Sequence, residues 1–147
     1  MKRPDIFLDS ICLDCEWEQV PAMVSFYAHL LGFEAEPIDE DVMPLVKGPH
    51  ISISFQPVNG YRPPTWPTEI RGQQSHLDLI VKDLPGAVAF ARSIGAQDAP
   101  AQYGDTWFVM LDPAGHPFCL TLNGPVLEHP WRVESTGNPS KLDENET

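Results

Sequence analysis

The chain reads as an α+β protein built from two tandem βαβββ modules, and three observations lead there. First, CLDCEWEQVPAMVSF at residues 12–26 lies over HLDLIVKDLPGAVAF at residues 76–90 without a gap, an offset of 64. Leu13/Leu77, Asp14/Asp78, Pro21/Pro85, Val24/Val88 and Phe26/Phe90 are identical, five of fifteen positions, where unrelated stretches share roughly one. Second, each copy switches from a two-residue hydrophobic period to a helical one. Third, GPHISISFQ from Gly48 lies over GHPFCLTLN from Gly115 at an offset of 67. Both the start and the end of a unit are therefore duplicated.

The elements follow in chain order. Ile11, Leu13 and Cys15 alternate with Cys12, Asp14 and Glu16, which is the pattern of a half-buried strand. Val20, Val24, Tyr27 and Leu31 then keep helical spacing. Pro21 suits the first helical turn, where a missing N–H costs nothing. Gly32 stands where a left-handed C-cap is needed. Shorter strands are expected over Phe33–Ile38, Val42–Lys47 and Ile51–Val58. The acidic Asp39-Glu40-Asp41 connects two of them and reads as solvated.

The second module repeats this plan. His76, Asp78 and Ile80 share one face of a strand over Ser75–Val81, with Leu77, Leu79 and Val81 on the other. Asp83 is placed to N-cap the next helix, Pro85 fits its first turn and Gly95 stops it. Strands are expected over Ala96–Tyr103, Thr106–Asp112 and Phe118–Leu122, with a tight turn at Asp112-Pro-Ala-Gly. Between the modules, 59–74 is rich in Pro and Gly and carries Tyr61 and Trp66. These aromatics either close a lid over a cleft or cover a sheet edge. We expect one domain over 1–133, with module one at 6–58, module two at 75–122 and a disordered acidic tail at 134–147.

Composition narrows the function classes. At 147 residues and 42% hydrophobic content the chain can bury a real core. A formal charge of −12 speaks against nucleic acid and anionic membranes as partners, since both need clustered cations. Neither a transmembrane run nor a signal-peptide pattern is expected. Cys12, Cys15 and Cys119 form an odd set, which fits a reducing cytoplasm better than a disulfide framework. The Cys12-x-x-Cys15 spacing falls within a strand pattern, whereas a redox pair sits at a helix start. No phosphate-binding loop, dinucleotide fingerprint, nucleophile elbow or HExxH zinc motif is present.

The tandem modules, with HLDLIVKDLPGAVAFARSIGA and WFVMLDPAGHPFCL in the second, resemble the glyoxalase/bleomycin-resistance/extradiol-dioxygenase (vicinal oxygen chelate) superfamily. SFYAHLLGF in the first module adds to this, and PPTWP and DPAGHPFCL look like its glyoxalase-like branch. The resemblance spans roughly residues 6–122. It implies sheets that curl into a cup with helices outside, and often a homodimer. It also implies a divalent metal that chelates adjacent substrate oxygens, held by the first and last strands of each module.

Carried over residue by residue, those ligand positions fall on His76, its repeat-mate Cys12, Cys119 and its repeat-mate Ser52. Of these only His76 matches the His, Glu and Gln the family offers. Cys12, His76 and Cys119 can supply zinc ligands; alternatively the two cysteines are small residues of the cup. His76 is then a general acid/base, a hydrogen-bonding group or a core histidine. Strand parity adds Asp14, Ser54, Gln56, Asp78 and Thr121 to the cup face. Asp14 and Asp78 are either a functional pair or braces for nearby backbone. Trp107 is expected to turn its ring into the cup, with Phe55 or Phe108. His116 reads as a turn residue. The expected function is a small-molecule cup. It serves a lyase, isomerase or dioxygenase, or else it sequesters a ligand without metal.

Overall fold

The computed structural model describes residues 1–123. The expected tail at 134–147, and the end of the domain at 133, lie outside the described residues. Module one comprises β1 (Ser10–Cys15), a 3-10 turn at Trp17–Gln19, α1 (Val20–Leu31), β2 (Glu34–Ala35), β3 (Leu45–Lys47) and β4 (Ser52–Pro57). Module two comprises β5 (Leu77–Ile80), α2 (Leu84–Ser93), β6 (Gln97–Asp98), β7 (Trp107–Leu111) and β8 (Pro117–Thr121). Each forms a four-stranded mixed sheet, ordered β1-β4-β3-β2 and β5-β8-β7-β6. First and last strands pair in parallel and the rest antiparallel, so the topology is the same twice.

Local chemistry explains the boundaries. Gln19 Oε1 accepts from the Glu16 N–H at 2.8 Å, which fixes the 3-10 entry to α1. Asp83 caps α2 by accepting from the Gly86 N–H at 3.2 Å. Gly32 follows α1 at φ 67, the left-handed conformation that ends a helix. The outer strands are shorter than expected. β2 and β6 hold two residues each, not the spans Phe33–Ile38 and Ala96–Tyr103. Pro37 and Pro100 lie in those spans and cannot donate to a ladder. Pro44 likewise delays β3 to Leu45.

One apolar core serves both modules. Phe26 of α1 meets Tyr27 edge-on at 5.1 Å and lies 5.7 Å from Phe118 of β8, between ring centroids. Tyr27 lies 5.8 Å from Phe55 of β4. All four rings are essentially fully buried, and each such burial contributes roughly 1.5–3 kcal/mol. Helix α1 of the first module is thus also wedged against the second.

Polar bonds tie the modules at the same place. Tyr27 Oη donates to Asp112 Oδ2 at 2.7 Å. Asp112 Oδ1 accepts from the Ala114 and His116 N–H groups at 2.9 and 3.0 Å. Burial pushes the Asp112 carboxyl above its ordinary range, although the His116 charge and these donors pull the other way. His116 Nε2 lies 2.6 Å from the Asp14 carbonyl. That oxygen can only accept, so Nε2 carries the proton. His116 is therefore both a turn residue and a bridge between modules.

The sheet registers correct one repeat pairing. Asp14 pairs with Gln56 and Asp78 with Cys119. Asp14 and Asp78 are repeat-mates, so Cys119 corresponds to Gln56 and not to Ser52. The turn glycines that suggested an offset of 67 lie in loops of different length. Lys47 faces Ser52 across one hairpin, whereas Leu111 faces Pro117 across the other, one residue longer. Ser52 and Gln56 still share a face, because the slip is even.

Candidate functional site

A cavity of about 340 Å³ opens on the face of the second sheet. His76, Asp78, Trp107, Cys119 and Thr121 all line it. These are the second-module residues assigned to the cup by parity and repeat. They meet because β5, β7 and β8 are adjacent and alternate side chains point the same way. Val109, two residues beyond Trp107, lines the cavity by the same parity. Trp66 of the linker also lines the cavity and meets Tyr103 edge-on at 5.9 Å. Gln73 and Asn123 also line the cavity. Parity cannot find them because they lie outside the strands.

Trp107 is set by its neighbour. A Cβ on Gly104 would strike the Trp107 indole, so the ring lies flat over that glycine. The partner rings named from sequence are elsewhere. Phe55 is fully buried in the core. Phe108 carries the Arg92 guanidinium 5.7 Å from its centroid on the other face. Trp66 replaces them at the cavity.

The polar edge of the cavity is a histidine–carboxylate pair. His76 Nε2 stands 3.3 Å from Asp78 Oδ1, with side chains 43% and 58% exposed. The Cys119 thiol is pushed up to about 11, by burial first and by the Asp78 charge second. It remains a neutral thiol near pH 7 and is no ready nucleophile.

The first-module residues separate. Cys12 and Asp14 line a second cavity of about 330 Å³ between the modules, which also includes His76. Gln56 lines a third, open cavity of about 490 Å³ with Trp17, Met43, Glu40 and Asp41. The acidic connection is thus solvated and also rims this hollow. Ser52 is half-buried and Ser54 buried, and neither lines these cavities. Tyr61 donates to the Ala114 carbonyl at 3.1 Å and so clamps the linker to the β7–β8 turn.

The residues do not fit the implied metal. Among the described residues no three His, Cys, Asp or Glu side chains converge on one point. Cys12 is exposed on the second cavity, while Cys119 is buried on the first, so the set Cys12, His76 and Cys119 is not assembled. Cys12 and Cys15 are free and face opposite ways, Cys15 being fully buried with its thiol pushed up to about 11 by burial. No helix among the described residues is long and apolar enough to cross a membrane.

Two βαβββ modules around a face-lined cavity define a glyoxalase-fold protein. The chain belongs to the glyoxalase-like domain family, whose model matches residues 10–121, and so to the glyoxalase/bleomycin-resistance/dioxygenase superfamily. It is similar in fold to a glyoxalase/bleomycin resistance protein/dioxygenase family enzyme from Burkholderia phytofirmans PsJN, at 20% identity and TM-score 0.58, over 78% of this chain and 97% of that one. A glyoxalase-related enzyme from Fulvimarina pelagi matches at 16% identity and TM-score 0.57, over 79% and 87% of the two chains. A glyoxalase/bleomycin resistance protein from Albidiferax ferrireducens T118 matches at 16% identity and TM-score 0.53, over 78% and 96%. No curated protein matches the sequence. At these identities the likeness establishes the fold.

Proposed function

We propose that the chain binds a small, flat aromatic molecule in the second-module cavity, and that it acts by binding rather than by metal chelation. The observation that carries this is the pair of indoles, Trp66 and Trp107, lining one cavity whose polar rim is the His76–Asp78 pair. Aromatic side chains lining a cavity hold a ring by stacking, and a few polar groups orient it. The scattered metal-type positions support the same reading. This is the ligand-sequestering alternative expected from the sequence. A homodimer and a reducing, cytoplasmic setting belong to the proposal; three free cysteines support the latter.

A metal-free lyase or isomerase is the second reading, and the 3.3 Å approach of Asp78 to His76 favours it. A carboxylate beside an imidazole can orient it as a general acid/base. Calorimetry against a panel of planar aromatics tests the first reading. Saturable binding, weakened about tenfold in Trp107→Ala, is the expected result. Stoichiometric metal in the purified protein, lost in His76→Ala, would overturn it. Turnover of a bound compound, abolished in His76→Ala without metal, would favour the second. Light scattering at micromolar concentration tests the dimer, which a monomer mass would sink.

A further inference from the structure

We propose that the cavity between the modules is a binding site for a small oxyanion, a carboxylate or a phosphate, held by Arg62 and Arg71. The proposal does not depend on the aromatic ligand. Its starting point is charge. The chain carries nine Lys and Arg against twenty-one Asp and Glu. Lys47 is paired with Glu36 at 2.6 Å and Arg92 with Asp98 at 2.7 Å. Arg62 and Arg71 line the same cavity, and neither has a carboxylate partner among the described residues. One such arginine on a loop is an ordinary solvated side chain. Two that share one cavity, in so acidic a chain, make a local positive field.

Arg71 is also held in place. Its backbone N–H donates to Thr65 Oγ1 at 2.9 Å, and the Thr65 N–H returns a bond to the Arg71 carbonyl at 2.8 Å. Its side chain donates from Nε to the Pro63 carbonyl at 2.8 Å. The guanidinium is thereby tethered at one corner, with its two terminal nitrogens left to serve a ligand. A fixed fork of this kind suits the two oxygens of a carboxylate or phosphate and loses little entropy on binding. Pro63 in turn packs on Gly115, where a Cβ would come within 2.7 Å of the Pro63 Cβ. The arginine loop thus rests on the same β7–β8 turn that joins the modules.

One group opposes the anion. Asp14 lines the same cavity, and its carboxylate makes no hydrogen bond or ion pair among the described residues, while its backbone carbonyl meets His116. Two guanidinium charges therefore face one carboxylate. Asp14 sets the strength of the site and supplies a gain-of-binding test.

The experiment is a titration of the full chain with inorganic phosphate and, separately, with acetate, followed by calorimetry at low and high salt. Saturable binding of either probe that weakens with salt is expected. Arg62→Ala, which removes no side-chain hydrogen bond or ion pair among the described residues, should weaken it several-fold, and Arg62→Ala with Arg71→Ala about tenfold or more. Asp14→Asn should strengthen it. Arg92→Ala, whose charge is spent on Asp98, is the control and should change nothing. Preference for acetate would mark a carboxylate site, and preference for phosphate a phosphoryl site. Absence of saturation by both probes, or an affinity unchanged in Arg62→Ala and in the folded double variant, would overturn the proposal.

Discussion

The two modules share a topology and differ in what their open faces carry. Module one presents Cys12, Ser52, Ser54 and Gln56, all small or polar, on the face of its sheet. Module two presents Trp107, Val109, Cys119 and Thr121 at the corresponding strands, with His76 and Asp78 beside them. Their helix-facing sides remain alike: Ile53 and Phe55 in one, Phe118 and Leu120 in the other, all buried. The packed side of a duplicated sheet is held by volume and exclusion of water. The open side has no such constraint, so one copy can become an aromatic cavity while the other stays plain.

The comparison can be broken most severely at the joint. Asp112→Ala leaves the Tyr27 hydroxyl and two backbone N–H groups without their acceptor. A loss of about 2–4 kcal/mol is expected in urea denaturation. If both modules nevertheless remain folded in one transition, the joint matters less than either core. The conservative Asp112→Asn adds a pH signature. The native carboxyl is raised above its unfolded value, so its contribution is fully present below the unfolded pKa, about 4, and is lost as pH rises through the raised native value. The stability of the wild type relative to Asp112→Asn should therefore fall over that window.

Next in size is Gly115→Ala. Gly115 sits at φ 88 with Pro63 pressed against it, so a side chain meets both strain and collision. About 1–3 kcal/mol should be lost, seen as a lower midpoint at constant slope. A smaller effect should separate the two faces. Gly104→Ala displaces the Trp107 indole and should weaken aromatic binding in the second-module cavity about tenfold, near 1.4 kcal/mol. Met43→Ala, on the first-module hollow, should leave it unchanged. Equal losses in both would erase the distinction between the modules. The smallest effect is expected for Arg92→Ala, since both partners of its pair with Asp98 are about half exposed. The Asp98 carboxyl is held below its usual range by Arg92, so what the pair adds is present above the unfolded pKa and lost as pH falls. Thermal melts above and below pH 4 would show it.

Much of this difference was readable in the residues. The helices, their prolines, the Asp83 cap and the Gly32 stop follow from local chemistry that needs no tertiary context. So did the second-module face, because a period of two fixes which of His76, Asp78, Cys119 and Thr121 share a side. The ends of the outer strands were not, since Pro37 and Pro100 act through a ladder whose partner is unknown from sequence. Ser52 was matched to Cys119 because the ungapped repeat aligned Gly48, which directly follows β3, with Gly115, four residues beyond β7, and so carried the last strands out of register. Trp66 as a cavity wall, and the arginine cavity, arise from how the linker crosses the second module. No periodicity encodes that path.

The Tyr27–Asp112 bond joins residues 85 positions apart. The second sheet must be largely assembled before its turn can receive the tyrosine, yet the first helix cannot bury Phe26 fully until then. Neither half has a finished core while the other is missing. Contacts that close so long a stretch of chain slow folding, and a half-formed intermediate displays aromatic surface that sticks to other chains. The duplication that made the architecture simple to describe therefore leaves a molecule that must be completed in one step.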